Sequence, residues 1–273
     1  NAKWGVLRNH ETINAYAREV LLTAKEVFEQ HGWRVVHGIV DSIWLQQHEE
    51  NPTDIQDLCD QITEATDIRL DFEAHYDWIA FCPKRETGGG ALTRYFGKKN
   101  DGGFKVRGIE LRQHSTPAFV KDVQEDLLET FDQHRKPGPV CDCLTHHIHR
   151  LEQGDVDPQD LLIEQRISKE PDEYTQSIKS AAAVTRARQL HDHHIGPGQS
   201  VEYIVHNDEA QGIERVRLPY DDLETYDTAF YRSHLIRAAE SILSPLGWDR
   251  DDIETYLSDT TTHNLRSYLE ATP

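Results

Sequence analysis

The sequence predicts an α+β fold in which an antiparallel sheet with packed helices is followed by a mainly helical part. Three observations lead to this prediction. Apolar residues recur at helical spacing near the start of the chain, the segments that follow alternate with a period of two, and the periodicity beyond residue 118 is mostly helical. Because 37% of the 273 residues are hydrophobic, the chain can bury a core despite its polar average composition.

The first part, residues 1–118, is predicted to form a helix, a hairpin, a second helix and several strands. Asn9 suits a helix N-cap and Gly32 ends the helical pattern. Two short apolar runs then flank a turn, and glycines at 88–90 and 102–103 mark further turns. The predicted elements are helices at Asn9–Gln30 and Pro52–Ala65, a hairpin at Val35–Leu45, and strands at Ile68–Phe81, Leu92–Phe96 and Phe104–Leu111.

The second part, residues 119–273, begins after Pro117 and is predicted to be mainly helical. Lys136–Pro139 contains two prolines and a glycine, which predicts a break between helices. The predicted elements are helices at Phe119–Phe131, Val140–Glu152, Tyr174–Leu190, Tyr226–Leu243 and Asp251–Leu257, a short piece at Pro158–Glu164, and a strand at Val201–Val205.

The net charge of −19, from 48 acidic and 29 basic residues, argues by itself against a nucleic-acid partner. Asp-rich stretches such as Asp249–Asp252 and the excess of arginine over lysine are, however, typical of proteins from salt-in halophiles. At molar salt the Debye length is about 3 Å, so local arginines would decide contact with DNA. We favour this interpretation over that of an ordinary acidic protein that avoids DNA.

Cysteine content and hydropathy indicate the compartment. Four cysteines in a chain of this length do not suggest a disulfide framework, so we expect a reducing cytoplasm. No apolar run reaches the roughly 20 residues of a membrane helix. The chain begins with Asn1 and contains no methionine, from which we expect a fragment or a processed piece of a longer protein.

Gly38–Ser42 places the carboxylate of Asp41 at the tip of the predicted hairpin. A rigid tip can present one carboxylate to a hard cation such as Mg²⁺. The alternative is that Asp41 is simply a turn residue, since Asp is common in turns.

The surrounding residues favour the first interpretation. His37–Trp44 resembles the Tyr-Gly-Asp-Thr-Asp-Ser element of family B DNA polymerases, with Asp41 at the second Asp and Ile39 in place of the first. Further segments resemble this family in the same order along the chain: Asn1–Gly5, Ile13–Phe28, Leu92–Gly97, Lys105–Arg112, Ile167–Tyr174, Gly196–Val205 and Asp227–Tyr231.

The resemblance implies the end of a palm domain (1–118) and a thumb domain (119–273). It implies nucleotidyl transfer in which Asp41 is the catalytic ligand of two Mg²⁺ ions and a second carboxylate lies outside this chain. Ser42 would support the hairpin, and Glu73 either approaches the metals from a neighbouring strand or is simply a surface residue. The implied partners are primer–template DNA, a dNTP, the remaining N-terminal part of the polymerase and a sliding clamp. We therefore expect no polymerase activity from this chain alone.

Basic and aromatic residues around the sheet are the predicted DNA contacts, because arginine makes bidentate contacts with phosphate. The alternative is that they pair within the sheet, with neighbours such as Glu110. Leu92 and Thr93 replace the lysines of the family's Lys-Lys-Arg-Tyr element, and Lys84, Arg85, Lys98 or Lys99 would have to substitute for them. The predicted contacts are Arg94, Tyr95, Lys98, Lys105, Arg107 and Arg112.

Other readings remain open. Ile39 and the missing lysines motivate a non-catalytic paralogue that acts as a duplex clamp or replisome subunit. A reverse transcriptase is a more distant alternative, against which the thumb-like segments argue. Cys141 and Cys143 with the following histidines, and His191–His194, suggest zinc, but Cys-x-Cys on a helix points the thiols to different faces.

Overall fold

The computed structural model describes residues 7–84, 87–174 and 178–259. Asn1–Gly5 and Arg85, which the sequence analysis singled out, lie outside these ranges. The chain divides into two compact units: residues up to Trp78 together with Lys99–Gly103, and the rest of the chain. The predicted boundary at residue 118 concerns domains of the family and stays a prediction.

The first unit consists of two helices and a hairpin. The long helix α1 (Leu7–Gln30) leads into strands β1 (Trp33–Ile39) and β2 (Ser42–Gln47), which pair antiparallel. Helix α2 (Ile55–Thr66) begins at the N-cap Asp54, whose side chain accepts a hydrogen bond from the Gln56 amide. The core that joins these elements consists of Ala24, Phe28, Leu58, Cys59 and Ile62.

The second unit contains a three-stranded sheet in the order β3-β4-β5. The sheet consists of β3 (Tyr76–Pro83), β4 (Gly90–Lys99) and β5 (Phe104–Arg107), and β4 pairs antiparallel with β5. A 3-10 turn at Glu110–Arg112 then leads to the helices. These are α3 (Ala118–His134), α4 (Pro137–Gln153), α5 (Lys179–His191), α6 (Thr228–Leu243) and α7 (250–259).

A second antiparallel sheet lies among these helices. Its strands β6 (Ile163–Arg166), β7 (Ser200–Val205) and β8 (Val216–Arg217) are ordered β6-β7-β8. The fully buried Tyr231 of α6 ties this sheet to the helical core: its hydroxyl accepts a hydrogen bond from the Val205 amide at 2.8 Å and donates to the Leu161 carbonyl at 2.9 Å. Burial raises the pKa of this phenol well above its usual value.

The α+β prediction is confirmed, and several boundaries need correction. The strand predicted from Ile68 begins only at Tyr76, because residues 68–75 have no regular structure despite their alternating pattern. The strand predicted to reach Leu111 ends at Arg107, where Gly108 turns the chain with φ of +69°. The predicted break at 136–139 is shorter, since Pro137 occupies the first turn of α4, where its missing N–H costs nothing.

Two further corrections concern the second half. Pro158–Glu164 is a 3-10 turn followed by β6, and the helix expected from Tyr174 begins at Lys179. Of the second sheet, only β7 was predicted. Over the described ranges, every helix is too short or too polar to cross a membrane.

Candidate active site and candidate nucleic-acid interface

The tip of the β1–β2 hairpin presents Asp41 to solvent. Ile39 and Ser42 form the last pair of the ladder, so Val40 and Asp41 alone make the loop. Asp41 is exposed, and the Ser42 hydroxyl donates to its Oδ1 at 3.3 Å. A two-residue loop restricts the backbone, so the carboxylate is held at a defined place with its oxygens accessible.

The same loop is strained. Val40 has φ of +44° and is 72% exposed. A β-branched residue in this region is an outlier, because its side chain crowds the backbone, and two-residue loops ordinarily use Gly or Asn there. Strained backbone of this kind concentrates at functional sites.

Two features shape the hairpin, and a third joins it to α1. The ladder shifts register between Val35 and His37, which leaves Val36 as the extra residue of a β-bulge. Beyond the bulge the rings of His37 and Trp44 are in contact, with centroids 4.9 Å apart. Gly38 lies so close to α1 that a Cβ there would sit 3.3 Å from Leu21 Cδ2. The hairpin therefore approaches the helix at a position that favours glycine.

As a metal ligand, Asp41 fits Mg²⁺ chemically but is not a complete site. Carboxylate oxygen suits magnesium, which keeps waters and takes one or two carboxylates. Within the described ranges, no group of three or more His, Cys, Asp or Glu side chains is placed to hold a metal ion. Glu73, the predicted supporting residue, is exposed in the irregular segment before β3.

Arg94 and Tyr95 of β4 lie at or within the core of the second unit. The Arg94 guanidinium donates from Nη2 to Ser241 Oγ at 2.8 Å, and the thiol of Cys82 donates to the Ser241 carbonyl at 3.3 Å. Tyr95 is 1% exposed, with its ring 5.5 Å from that of Phe81. This burial favours a packing role for Tyr95, and we do not place it among the surface contacts.

Lys98 is similarly engaged. Its ammonium lies 3.6 Å from Asp132 Oδ2 and 4.0 Å from the centre of the Phe104 ring. Such a lysine is held by an ion pair and a cation–π contact. It is a weaker candidate than a free surface lysine for replacing the family lysines.

The three cations that follow differ in exposure. Lys105 is half-buried, whereas Arg107 and Arg112 are exposed. Neither arginine forms an ion pair with a residue in the described ranges. Both sit beside the turn that connects β5 to α3, so they present two guanidinium groups on one short segment.

Glu110 and Gln124 form a buried polar cluster that the sequence analysis missed. As an alternative to DNA contact, the sequence suggests Glu110 as a pairing partner for sheet residues, but Glu110 is 4% exposed and accepts hydrogen bonds from Gln124 and Arg237. A signal was available: Gln124 interrupts the apolar stripe that Val120, Val123 and Leu127 form on α3. A polar residue in such a stripe needs buried partners.

The zinc interpretation is not supported. Within the described ranges, no group of three or more His, Cys, Asp or Glu side chains is placed to hold a metal ion, and burial, with a smaller contribution from Asp142, raises the pKa of the Cys141 thiol to about 12. The neighbouring His147 is buried with its Nε2 3.0 Å from Asp126 Oδ2. In the second histidine stretch, His191 Nε2 lies 2.7 Å from Asp221 Oδ1. These side chains serve the fold.

Comparison with known proteins gives one consistent answer. The family model described as DNA polymerase family B matches residues 6–246. The chain is 25% identical over 189 residues to a DNA polymerase of Archaeoglobus fulgidus, covering 69% of this chain and 23% of that protein. It is 26% identical over 230 residues to DNA polymerase 2 of Saccharolobus solfataricus, covering 82% and 32%.

A solved structure shows the same fold. The family B DNA polymerase of Pyrobaculum calidifontis superimposes with a TM-score of 0.59 at 22% identity, over 88% of this chain and 30% of that one. The chain spans 15–33% of the length of its curated relatives. Because the family model covers most of the sequence, from the long helix through both sheets, this chain belongs to DNA polymerase family B.

Proposed function

We propose that this chain is the palm-end and thumb part of a DNA-directed DNA polymerase that acts in DNA replication, with the boundary between the two domains near residue 118. The observation that carries the proposal is the exposed carboxylate of Asp41 on a two-residue hairpin tip, at the position where the family sequence has its second Asp. The match of the family model across both proposed domains supports it.

In the reaction, the primer 3′-hydroxyl loses its proton to water as its oxygen bonds to the α-phosphorus of a dNTP. The bond from that phosphorus to the bridging oxygen breaks, and pyrophosphate leaves. Asp41 would hold magnesium with a carboxylate from outside this chain, and bound magnesium supplies neutralisation of the charge on the phosphoryl group. Ser42 restrains the Asp41 carboxylate through its hydroxyl, which limits the orientations that must be lost when a cation binds.

The proposed DNA contacts are Arg107 and Arg112, with Lys105 beside them. Exposed guanidinium groups can contact phosphates of primer–template DNA without reading its sequence. Arg94 and Lys98 would support this surface rather than contact DNA first, since Arg94 is hydrogen-bonded to Ser241 and Lys98 is paired with Asp132. With a net charge of −19, binding must depend on these local groups and on salt.

The proposal includes the missing part of the polymerase as a partner, together with a dNTP. Ile13 and Tyr16 of α1 are 65% and 69% exposed although they follow the apolar spacing of an amphipathic helix. An exposed apolar face of this kind suits burial by further polypeptide. A sliding clamp stays a prediction from the resemblance.

A second candidate function is a non-catalytic duplex clamp. Ile39, where the family has its first hairpin Asp, favours it, because that side chain cannot bind a cation. The two candidates differ in a second metal-binding carboxylate outside this chain. Its presence would support the polymerase, and its absence would support the clamp.

The test is Asp41→Ala in the complete polymerase. We expect primer extension to fall roughly 10³-fold, equivalent to about 4 kcal/mol, with duplex affinity and melting temperature unchanged. Asp57→Ala, an exposed aspartate on α2, is the matched control and should keep the parent rate. Equal extension by the Asp41 variant would refute the metal role. A parent that binds duplex but does not extend it would establish the clamp, and extension by the 273-residue chain alone would contradict its predicted inactivity.

A further inference from the structure

Gln124 of α3 uses its whole side-chain amide inside the second unit. It is fully buried, and its Oε1 accepts a hydrogen bond from the Leu111 amide at 2.6 Å. Its Nε2 donates one hydrogen to Glu110 Oε2 at 3.0 Å and the other to the Ala238 carbonyl at 2.9 Å. A primary amide has two hydrogens to donate, and both are used here.

The Glu110 carboxylate shares this cluster. Its second oxygen, Oε1, lies 3.2 Å from Nε of Arg237 on α6. The Arg237 side chain is 62% exposed, so solvent weakens that ion pair. The buried Gln124 bond is therefore the better-protected restraint on the carboxylate.

These bonds fix the segment that runs from Arg107 to Arg112. At its start, a Cβ on Gly108 would lie 2.1 Å from the Thr93 carbonyl oxygen, so the backbone is seated directly on β4. Ile109 is fully buried, and the Leu111 amide is bonded to Gln124. The segment is held at three points, and the exposed arginines stand at its two ends.

We propose that Gln124 is a positioning residue for DNA binding, which sets Arg107 and Arg112 at a fixed separation along the duplex backbone. This inference rests on the proposed function. Without the amide, the Leu111 N–H, the Ala238 carbonyl and the Glu110 carboxylate lose these partners in a place that water cannot fill freely. The segment then relaxes, and both guanidinium groups move together.

The experiment measures binding of the 273-residue chain to a fluorescent primer–template duplex by anisotropy. Gln124→Met removes the amide and keeps the side-chain length. We expect duplex binding to weaken roughly tenfold, within the range for coupled residues in one network. In an Arg107→Ala/Arg112→Ala background, Gln124→Met should change binding by less than about twofold, because the groups that it positions are already absent.

Two controls separate positioning from general damage. Gln153→Met, at the exposed end of α4, should leave binding unchanged in both backgrounds. Glu110→Gln keeps the shape of the cluster without the charge, and is the variant to use if Gln124→Met does not fold. It should weaken binding in the parent background and not in the double-alanine background.

The outcomes are distinguishable. An equal loss in both backgrounds, for whichever of the two cluster variants folds, would overturn the positioning role while leaving DNA binding intact. A parent chain without salt-dependent duplex binding would overturn the proposed DNA contacts and the positioning role with them. Hydrogen exchange at residues 108–113 should rise in Gln124→Met, and unchanged protection there would also contradict the inference.

Discussion

The hairpin tip around Asp41 and the buried cluster around Gln124 treat polar groups in opposite ways. At the tip, Val40 is 72% exposed in a strained conformation and the Asp41 carboxylate faces water. In the cluster, Gln124 is fully buried and all the hydrogens of its amide are bonded. A polar group kept for a ligand must leave its bonding capacity in solvent, whereas one kept for the fold must be satisfied internally.

This contrast predicts where substitutions will act. Changes at the tip should alter activity more than stability, since few contacts of the fold are lost. Changes in and around the cluster should lower stability. They should also weaken DNA binding, because the segment from Arg107 to Arg112 relaxes. Two further measurements test this division, and a third tests another buried polar side chain, His147.

The largest expected effect is that of Gly108→Ala on stability. A Cβ at 2.1 Å from the Thr93 carbonyl cannot be accommodated, and φ of +69° adds strain, so we expect the free energy of unfolding to fall by about 3 kcal/mol or more. Gly154→Ala is the matched control, because Gly154 has φ of +79° and nothing within 4 Å. It should cost about 1 kcal/mol. Equal losses in denaturant unfolding would show that Gly108 is not packed against β4.

A smaller effect is expected from pH acting on His147. Burial lowers the pKa of this imidazole, and among the described residues its Nδ1 has no hydrogen-bond partner. The unfolded chain therefore binds a proton more readily than the folded one. The contribution of neutral His147 to the free energy of unfolding should be complete above the ordinary histidine pKa. It should be lost as pH falls towards the lower pKa of the folded state.

The slope of the free energy of unfolding against pH is measurable. One proton changes the free energy of unfolding by at most about 1.4 kcal/mol per pH unit, and His147→Gln should flatten the profile below pH 6.5. His149→Gln, on the exposed side of the same helix, should keep the parent slope. If both variants kept the parent slope, the buried imidazole would not be the group that titrates.

The smallest effect is expected at the tip. Val40→Gly relieves the strain of a β-branched residue at φ of +44° but adds freedom to the unfolded chain, so the net gain should be at most about 1 kcal/mol. Val36→Gly, in the bulge of the same hairpin, has no such strain to relieve and should lower stability. A loss at both positions would show that Val40 is not strained.

The local spacing of apolar residues was sufficient to predict much of the fold. The apolar spacing of α1 and the apolar runs on either side of Asp41 predicted a helix and a hairpin because both depend on residues close in sequence. The irregular segment at 68–75 was misjudged, since alternation alone does not supply a strand partner. Strands β6 and β8 were missed because they are short and are formed by pairing with β7, which no local signal encodes.

The candidate site divides in the same way. By itself the sequence determined the family and the place of Asp41, since the order of side chains at a hairpin tip is a local property. Only the tertiary structure showed that Tyr95 is buried, that Lys98 is held by Asp132, and that Arg107 and Arg112 remain exposed. Burial and pairing depend on residues far apart in the chain. For the same reason, the sequence shows Gln124 only as an interruption in an apolar stripe. Its bonds to Leu111 and Ala238 are seen only in the tertiary structure.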